Sequence, residues 1–247
     1  MSESTAGETL FERYLRDRGI DFDPDVPAGT KNVDFRLKTT PVVFCEVKDC
    51  GIGDAEKAEA EAFAKGHSVY ISTPDFYGRL RDAIRKAARQ LRRAKGSPCV
   101  VVLHNNGSSV LFYESFIWGA MFGGHVTRVP LDGEPVTTFT GNRVLGEKTN
   151  TTVSAVAVLS PTFANPELIE RAAASARQSG DTRDIARAFV ALSDEAPEAF
   201  AQTPCLRVHH NPFANTRLPR SVFNGARDLN LWPDFLHGPF AQPEDRG

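Results

Sequence analysis

The chain has 247 residues and a formal net charge of −2, with 41% hydrophobic and 24% charged residues. These proportions are ordinary for a soluble globular protein. The small negative charge excludes a global positive field, so any nucleic-acid-binding surface must be local. The longest apolar runs, such as VAVL and CVVVL, are too short to cross a bilayer, and we expect no membrane association. The acidic start MSESTAGETLFERYL lacks the pattern of a signal peptide, which predicts a cytoplasmic location.

The cysteine and histidine patterns do not indicate a zinc site. No paired CxxC spacing occurs among the four cysteines, which are Cys45, Cys50, Cys99 and Cys205. Cys45 and Cys99 lie in apolar strand patterns, so we expect them to be small buried hydrophobic residues. The adjacent His209 and His210 would point to opposite faces of a strand, which makes them a poor metal-binding pair.

The first half of the chain predicts the order helix, weak strand, two strands, helix, strand. Residues 8–18 have apolar side chains at helical spacing, and Gly19 ends that helix. After a turn-rich segment with one short strand at most, strands are predicted near 32–38 and 41–48, joined by KTTP. The strongest predicted helix is DFYGRLRDAIRKAARQLRRAKG, and the buried strand PCVVVLHNN follows it.

The second half is predicted to continue as an α/β structure. The segment SSVLFYESFIWGAMFG predicts an aromatic-rich helix, HVTRVP a strand, and LDGEPVTTFTGNRVLGEKTN a long loop. The segments TTVSAVAVLS and LRVHHNP predict strands, separated by helical patterns over roughly 165–200. HSVYIST predicts a further short strand, and 54–65 either an exposed helix or a loop. Because no linker interrupts the chain, we expect one elaborated domain over 1–247.

Two acids and a lysine stand out in the predicted strand pair. If Thr40 lies at the apex of an antiparallel hairpin, residues whose numbers sum to 80 face each other, and Asp34 pairs with Glu46. Side chains of opposite residues start about 5 Å apart. Strand alternation places Lys48 on the same face as Glu46, whereas Val47 points to the other face.

This arrangement of charges predicts a cation site. Two neighbouring carboxylates repel each other unless a positive group lies between them. Mg²⁺ commonly uses one or two carboxylates together with water and phosphate oxygens. A nearby lysine could orient a water molecule and stabilise charge on a phosphorus centre, as phosphodiester hydrolysis requires. The alternative is that Glu46 and Lys48 form a plain ion pair at a solvated strand end.

Asp34 followed by Glu46-Val47-Lys48 resembles the signature of the PD-(D/E)xK nuclease superfamily, although Val33 stands where the signature has its proline. In addition, NTTVSAVAVL followed by VHHNPFANTRLP resembles an uncharacterised bacterial branch of this superfamily. The resemblance implies a restriction-endonuclease-like core of order αβββαβ, with a mixed central sheet flanked by helices. The predicted elements match that core over about 7–106, and about 107–247 is then a C-terminal extension.

The resemblance also implies roles for individual residues. Asp34 and Glu46 would bind Mg²⁺, with Mn²⁺ as a substitute, and the backbone carbonyl of Val47 would add a ligand. Lys48 would serve the attacking water. The implied activity is therefore that of a metal-dependent endonuclease or exonuclease.

Many members of the superfamily carry further site residues on two helices. A glutamate on the first helix corresponds to Glu12, with Glu8 one turn earlier as the competitor. A glutamine or basic residue on the helix after the third strand corresponds to Gln90 and Lys86. The alternatives are a solvent-facing helix position for Glu12 and a surface position for Gln90.

The helix after the hairpin is strongly basic. Between residues 79 and 95 the chain has eight lysines and arginines and one acid, Asp82. Cations of this density favour nucleic acid, with DNA ahead of RNA, or another polyanion. The alternative is a solvated helix face. The predicted nucleic-acid contacts are Arg81, Arg85, Lys86, Arg89 and Arg93.

Two other functions fit the same sequence. The protein could keep the fold and bind nucleic acid without cutting it. It could also be an assembly subunit that docks a protein partner, or a second copy of itself, through the basic helix and the aromatic segment ESFIWGAMF. For that aromatic segment, however, a place in the hydrophobic core is the favoured interpretation.

Overall fold

The computed structural model describes residues 4–26, 32–54, 57–58, 61–62, 65, 74–106, 111, 114–128, 136–140, 143–163 and 202–233. The helices are α1 (Ala6–Asp17), α2 (Pro74–Leu91) and α3 (Glu114–Phe122). The strands of the first half are β1 (Phe22–Val26), β2 (Val33–Leu37), β3 (Val43–Gly51) and β4 (Cys99–Asn106). Those of the second half are β5 (Gly124–Arg128), β6 (Val136–Thr140), β7 (Val153–Phe163), β8 (Gln202–His210) and β9 (Leu229–Leu231).

Seven strands form one mixed sheet in the order β1-β2-β3-β4-β7-β8-β9. The pairs β1/β2 and β2/β3 are antiparallel, whereas β3/β4, β4/β7 and β8/β9 are parallel. The strands β5 and β6 form a separate antiparallel pair. The predicted α/β class, with a mixed sheet flanked by helices, is therefore confirmed.

Helices cover both faces of the sheet. On one face, here called the α1 face, Phe11 and Leu15 of α1 pack with Cys45 and Val47 of β3. On the other, the α2 face, side chains of α2 and α3 pack against β4 and β7. Because successive side chains of a strand alternate, Glu46 between these two β3 residues points to the α2 face.

The predicted order of elements in the first half is confirmed as α1, β1, β2, β3, α2 and β4. One prediction in the second half is wrong, because β6 lies within the segment predicted as a long loop. Its sequence VTTFT is rich in β-branched residues and pairs with β5, which favours a strand despite the surrounding turn residues. The strand predicted at HSVYIST and the helical patterns over 165–200 lie outside the described residues.

The chain divides into two compact units, of which the first comprises 1–159 and 206–247 and the second comprises 160–205. In the second unit, the described residues are the end of β7 and the start of β8, where the thiol of Cys205 donates to the carbonyl oxygen of Ser160 at 3.5 Å. Among the described residues of the chain, no helix has both the length and the apolar character needed to cross a membrane.

A buried carboxylate joins α1 to the C-terminal segment of the first unit. Asp228 accepts hydrogen bonds from the hydroxyl of Tyr14 at 2.8 Å and from the backbone N–H groups of Leu206 and Gly225, each at 2.9 Å. The guanidinium Nε of Arg18 lies 3.4 Å from the same carboxylate. Since the Asp228 side chain has no exposed surface, these donors supply the hydrogen bonds that water would otherwise make.

The N-terminal turn of α1 lies directly on the ends of β3 and β4. The helix begins with a capping box, in which Thr5 and Glu8 satisfy each other's backbone N–H groups. A Cβ atom on Gly7 would lie 2.6 Å from Oδ1 of Asp49 and 2.8 Å from Cβ of His104. Only glycine therefore permits this close approach of the helix to the sheet.

We predict that Gly7→Ala lowers the free energy of unfolding by about 1–3 kcal/mol, because the added methyl group forces α1 away from the sheet. Gly78→Ala on α2 is the matched control, since no atom of the described residues lies within 4 Å of the added carbon. It should stabilise the protein by roughly 0.5–1 kcal/mol through helix propensity. Urea unfolding measures both changes, and equal stability of the two variants would contradict the packing described for Gly7.

Candidate functional site

The register of β2 and β3 brings the two predicted acids together. The paired residues are Phe35 with Cys45, Arg36 with Phe44, and Leu37 with Val43. Their numbers sum to 80, which confirms the predicted register. Asp34 and Glu46 are the next residues beyond this ladder, and the charge of Asp34 acts on Glu46. The backbone N–H of Val47 donates to Oδ2 of Asp34 at 2.7 Å, which fixes the aspartate against β3.

Glu46 is fully buried on the α2 face, and its two carboxylate oxygens have different surroundings. Oε1 accepts a short hydrogen bond from the ammonium group of Lys48, two residues along β3. Among the described residues, no hydrogen-bond donor reaches Oε2. A buried carboxylate oxygen without a donor is costly, so this position favours either a proton or a cation.

The environment of Glu46 disfavours its charged form. Burial raises the pKa of the Glu46 carboxyl to about 7, and the negative charge of Asp34 acts in the same direction. The ammonium of Lys48 and the nearby backbone N–H of Asp34 act to lower this pKa. The alternative prediction of an ion pair between Glu46 and Lys48 is confirmed in its partners. The predicted solvated setting is wrong for Glu46, because its side chain has no exposed surface.

The donors at this site suit a hard cation. Asp34 and Glu46 offer carboxylate oxygens, which Mg²⁺ and Mn²⁺ prefer, and Oε2 of Glu46 lacks a protein donor. Within the part of the chain that the structure describes, no cluster of three or more His, Cys, Asp or Glu side chains could hold a metal ion. A cation at this pair would therefore take its other ligands from water, substrate or a backbone carbonyl such as that of Val47.

The two helix residues expected to complete the site lie in different surroundings. Glu12 pairs with Arg16 on α1, a helix that packs on the face opposite Glu46, so the structure does not bring it to the acids. Its competitor Glu8 belongs to the capping box of α1. Gln90 lies on α2, one turn after Lys86. The catalytic roles of Glu12 and Gln90 stay predictions.

A pocket of about 330 Å³ opens beside the acids, between the carboxyl end of β3 and α2. Its charged lining residues are Lys48, Asp49, Arg79, Asp82 and Lys86. Lys48 therefore contributes both to this pocket and to the carboxylate pair. The pocket and the acidic pair are thus linked through this one side chain.

The basic side chains of α2 are distributed around the helix rather than gathered at this pocket. Of the five predicted nucleic-acid contacts, Lys86 lines the pocket, and Arg85 pairs with Asp82 at 3.1 Å. Arg81, two positions after Arg79, is rotated by about 200° to the other side of the helix. Arg89 and Arg93 are exposed. Contact of these residues with nucleic acid stays a prediction.

Three features near the site were not predicted from the sequence. The Nδ1 atom of His104 lies 2.5 Å from Oδ1 of Asp49, on the α1 face. Arg79 donates from Nη1 to the carbonyl oxygen of Gly51 at 2.9 Å, and its guanidinium lies against Gly53. A histidine at the end of an apolar strand was a usable signal for the first feature. The second and third depend on how α2 is rotated relative to β3.

The aromatic segment predicted to belong to the core does so. Trp118 and Phe122 of α3 are buried and stack on each other with ring centres 5.8 Å apart. His209 and His210 contact different tryptophans, Trp118 and Trp232 respectively. Because the large side chains of α3 are already buried within the protein, this helix offers little apolar surface for docking a partner.

No protein-family model matches the chain, and a search of curated proteins found no match. The fold class alone does not define an activity, since one fold can carry many functions. The function must therefore be inferred from the side chains of the site.

We predict that Glu46→Gln stabilises the metal-free protein at neutral and alkaline pH. The folded-state pKa of Glu46 is raised from 4.5 to about 7, so its contribution to stability falls as pH rises through this range. A neutral amide avoids that loss, and the free energy of unfolding should rise by roughly 1–3 kcal/mol at about pH 8. Near pH 4.5 the difference should largely disappear. Urea unfolding of both proteins at the two pH values tests this, and an equal difference at both would contradict it.

Proposed function

We propose that the protein is a metal-dependent nuclease that hydrolyses phosphodiester bonds in nucleic acid. The observation that carries this proposal is the buried carboxylate of Glu46, which lies near Asp34. One of its oxygens accepts a hydrogen bond from Lys48, and the other accepts none from the described residues. This combination suits a cation held between two acids with a lysine beside it. Such a layout serves phosphodiester hydrolysis.

Each residue of the trio has a distinct task in this proposal. Asp34 and Glu46 hold Mg²⁺, with Mn²⁺ as a substitute. When bound, Mg²⁺ supplies Lewis-acid polarisation of a phosphate oxygen and lowers the pKa of water. Lys48 keeps an ammonium group at the edge of the pocket, where a quarter of its side chain is exposed. It can orient the attacking water and donate to a phosphate oxygen as negative charge develops there.

The arrangement of elements supports a restriction-endonuclease-like core over about 7–106. The order α1, β1, β2, β3, α2, β4 is αβββαβ, with an antiparallel β1-β2-β3 meander and a parallel β3/β4 pair. Asp34 lies on the second strand and Glu46-Val47-Lys48 on the third, which supports a comparison with the PD-(D/E)xK signature. We therefore propose membership of that superfamily, in its uncharacterised bacterial branch.

The charge distribution supports nucleic acid as the substrate, and we keep DNA ahead of RNA as part of the proposal. Lys48, Arg79 and Lys86 line the pocket next to the acids, although the whole chain carries a net charge of −2. Local cations on an acidic protein draw a polyanion to one place on its surface. Phosphate groups would thus be guided toward the carboxylate pair.

We predict that Lys48→Ala and Glu46→Gln each reduce Mg²⁺-dependent cleavage by at least about 100-fold, because the first removes the ammonium group beside the reacting phosphate and the second removes a carboxylate ligand of the metal. The measurement is single-turnover cleavage of labelled single-stranded, double-stranded and branched DNA and RNA, with Mg²⁺ or Mn²⁺. Lys38→Ala is the matched control, since Lys38 lies on the same hairpin but pairs with Asp23 at its surface. Wild-type cleavage by a purified Glu46→Gln/Lys48→Ala double variant would refute the mechanism.

A second function, binding of nucleic acid without cleavage, is favoured by one observation. Only two carboxylates meet at the site among the described residues, and one already holds a lysine. Calorimetric titration distinguishes the two functions. Uptake of Mg²⁺ or Mn²⁺ that Glu46→Gln abolishes supports the nuclease, whereas oligonucleotide binding without metal uptake supports the silent module.

A further inference from the structure

The side chain of Arg79 is held in a defined position at the mouth of the pocket. Its Nη1 donates to the carbonyl oxygen of Gly51 at 2.9 Å. The flat guanidinium also lies on the backbone of Gly53, where an added Cβ would be 2.5 Å from Cζ and 2.6–2.7 Å from the two terminal nitrogens. The loop after β3 therefore acts as a seat for this guanidinium, and only glycine at position 53 leaves room for it.

More cationic than acidic side chains line the pocket: Lys48, Arg79 and Lys86 against Asp49 and Asp82. Each acid also has a partner outside the lining, Arg85 at 3.1 Å from Asp82 and His104 at 2.5 Å from Asp49. Lys48 is itself paired with Glu46. The small positive excess of the lining, in a volume of about 330 Å³, suits an anionic ligand of modest size.

We propose that this pocket binds a phosphate of the nucleic acid strand adjacent to the phosphate at Glu46 and Lys48, with Arg79 as its main contact. The inference rests on the proposed function, because it places the strand through Lys48, which belongs to both the pocket and the acid pair. Arg79 is a positioning residue here, since it holds the strand rather than the reacting atoms.

The chemistry of the guanidinium explains why an arginine suits this place. A guanidinium has five N–H donors in a rigid plane and can bind phosphate oxygens in pairs. One donor of Arg79 is engaged by Gly51, so the plane is oriented before the strand arrives. This orientation reduces the side-chain entropy that binding would otherwise cost.

Binding of a fluorescein-labelled oligonucleotide, followed by anisotropy in EDTA, tests the pocket without cleavage. Arg79→Ala should weaken binding about tenfold and reduce the slope of log affinity against log salt by about one. Gly53→Ala should weaken binding several-fold, because the methyl group displaces the guanidinium while its charge remains. Arg13→Ala is the matched control, because Arg13 is an exposed α1 residue paired with Asp17 and its loss changes net charge equally.

The results separate this inference from the nuclease proposal. If Arg79→Ala and Arg13→Ala bind alike while wild-type protein cleaves, the pocket assignment is wrong and the nuclease remains. If Gly53→Ala binds the oligonucleotide with wild-type affinity, the proposed role of Gly53 in positioning Arg79 is wrong. If Arg79→Ala and Gly53→Ala both bind weakly but wild-type protein does not cleave, the assignment of the phosphate pocket is supported and the protein is a binding module. Circular dichroism and urea unfolding confirm that each variant is folded.

Discussion

The antiparallel register of β2 and β3 is the constraint on which the site depends. Phe35, Cys45 and Val47 pack together on the α1 face, so their polar neighbours Asp34 and Glu46 must point the other way. A slip of one residue would place acids under α1 and move apolar side chains to the α2 face. Packing of the core therefore fixes the distance between the two carboxylates before any ligand is present, and the Val47 N–H reinforces it.

The central position of β3 gives these carboxylates their chemistry. Glu46 lies on a strand with an antiparallel neighbour on one side and a parallel one on the other, and its side chain is fully buried. A charge in such a place must be balanced by another group, and among the described side chains Lys48 supplies the opposite charge. The same lysine extends to the pocket that Arg79 and Lys86 share. Lys48 therefore has two roles in the proposal: it balances the charge of the buried Glu46, and it attracts a polyanion at the surface.

Features that depend on local sequence pattern could be predicted from the sequence. A short turn and alternating apolar residues determined the pairing of Asp34 with Glu46, and helical periodicity located α1 and α2. Features that depend on how helices and strands pack against each other could not be predicted from the sequence. The rotation of α2 about its axis decides that Arg79 and Lys86 line the pocket, whereas Arg81 does not. The register of β3 and β4, which are about fifty residues apart in the chain, brings Asp49 next to His104. The weakly patterned β6 was missed because its partner strand stabilises it.

The carboxylate of Asp228 has a consequence for how the molecule assembles. Its bond with Tyr14 links positions 214 residues apart, and it also fixes the start of the segment at Leu206. During synthesis α1 emerges early, yet its polar partner emerges only when most of the chain has been translated. Contacts so distant in sequence slow folding and leave early segments exposed meanwhile. Helix α1 therefore acquires this polar contact only after the segment around Asp228 has been synthesised.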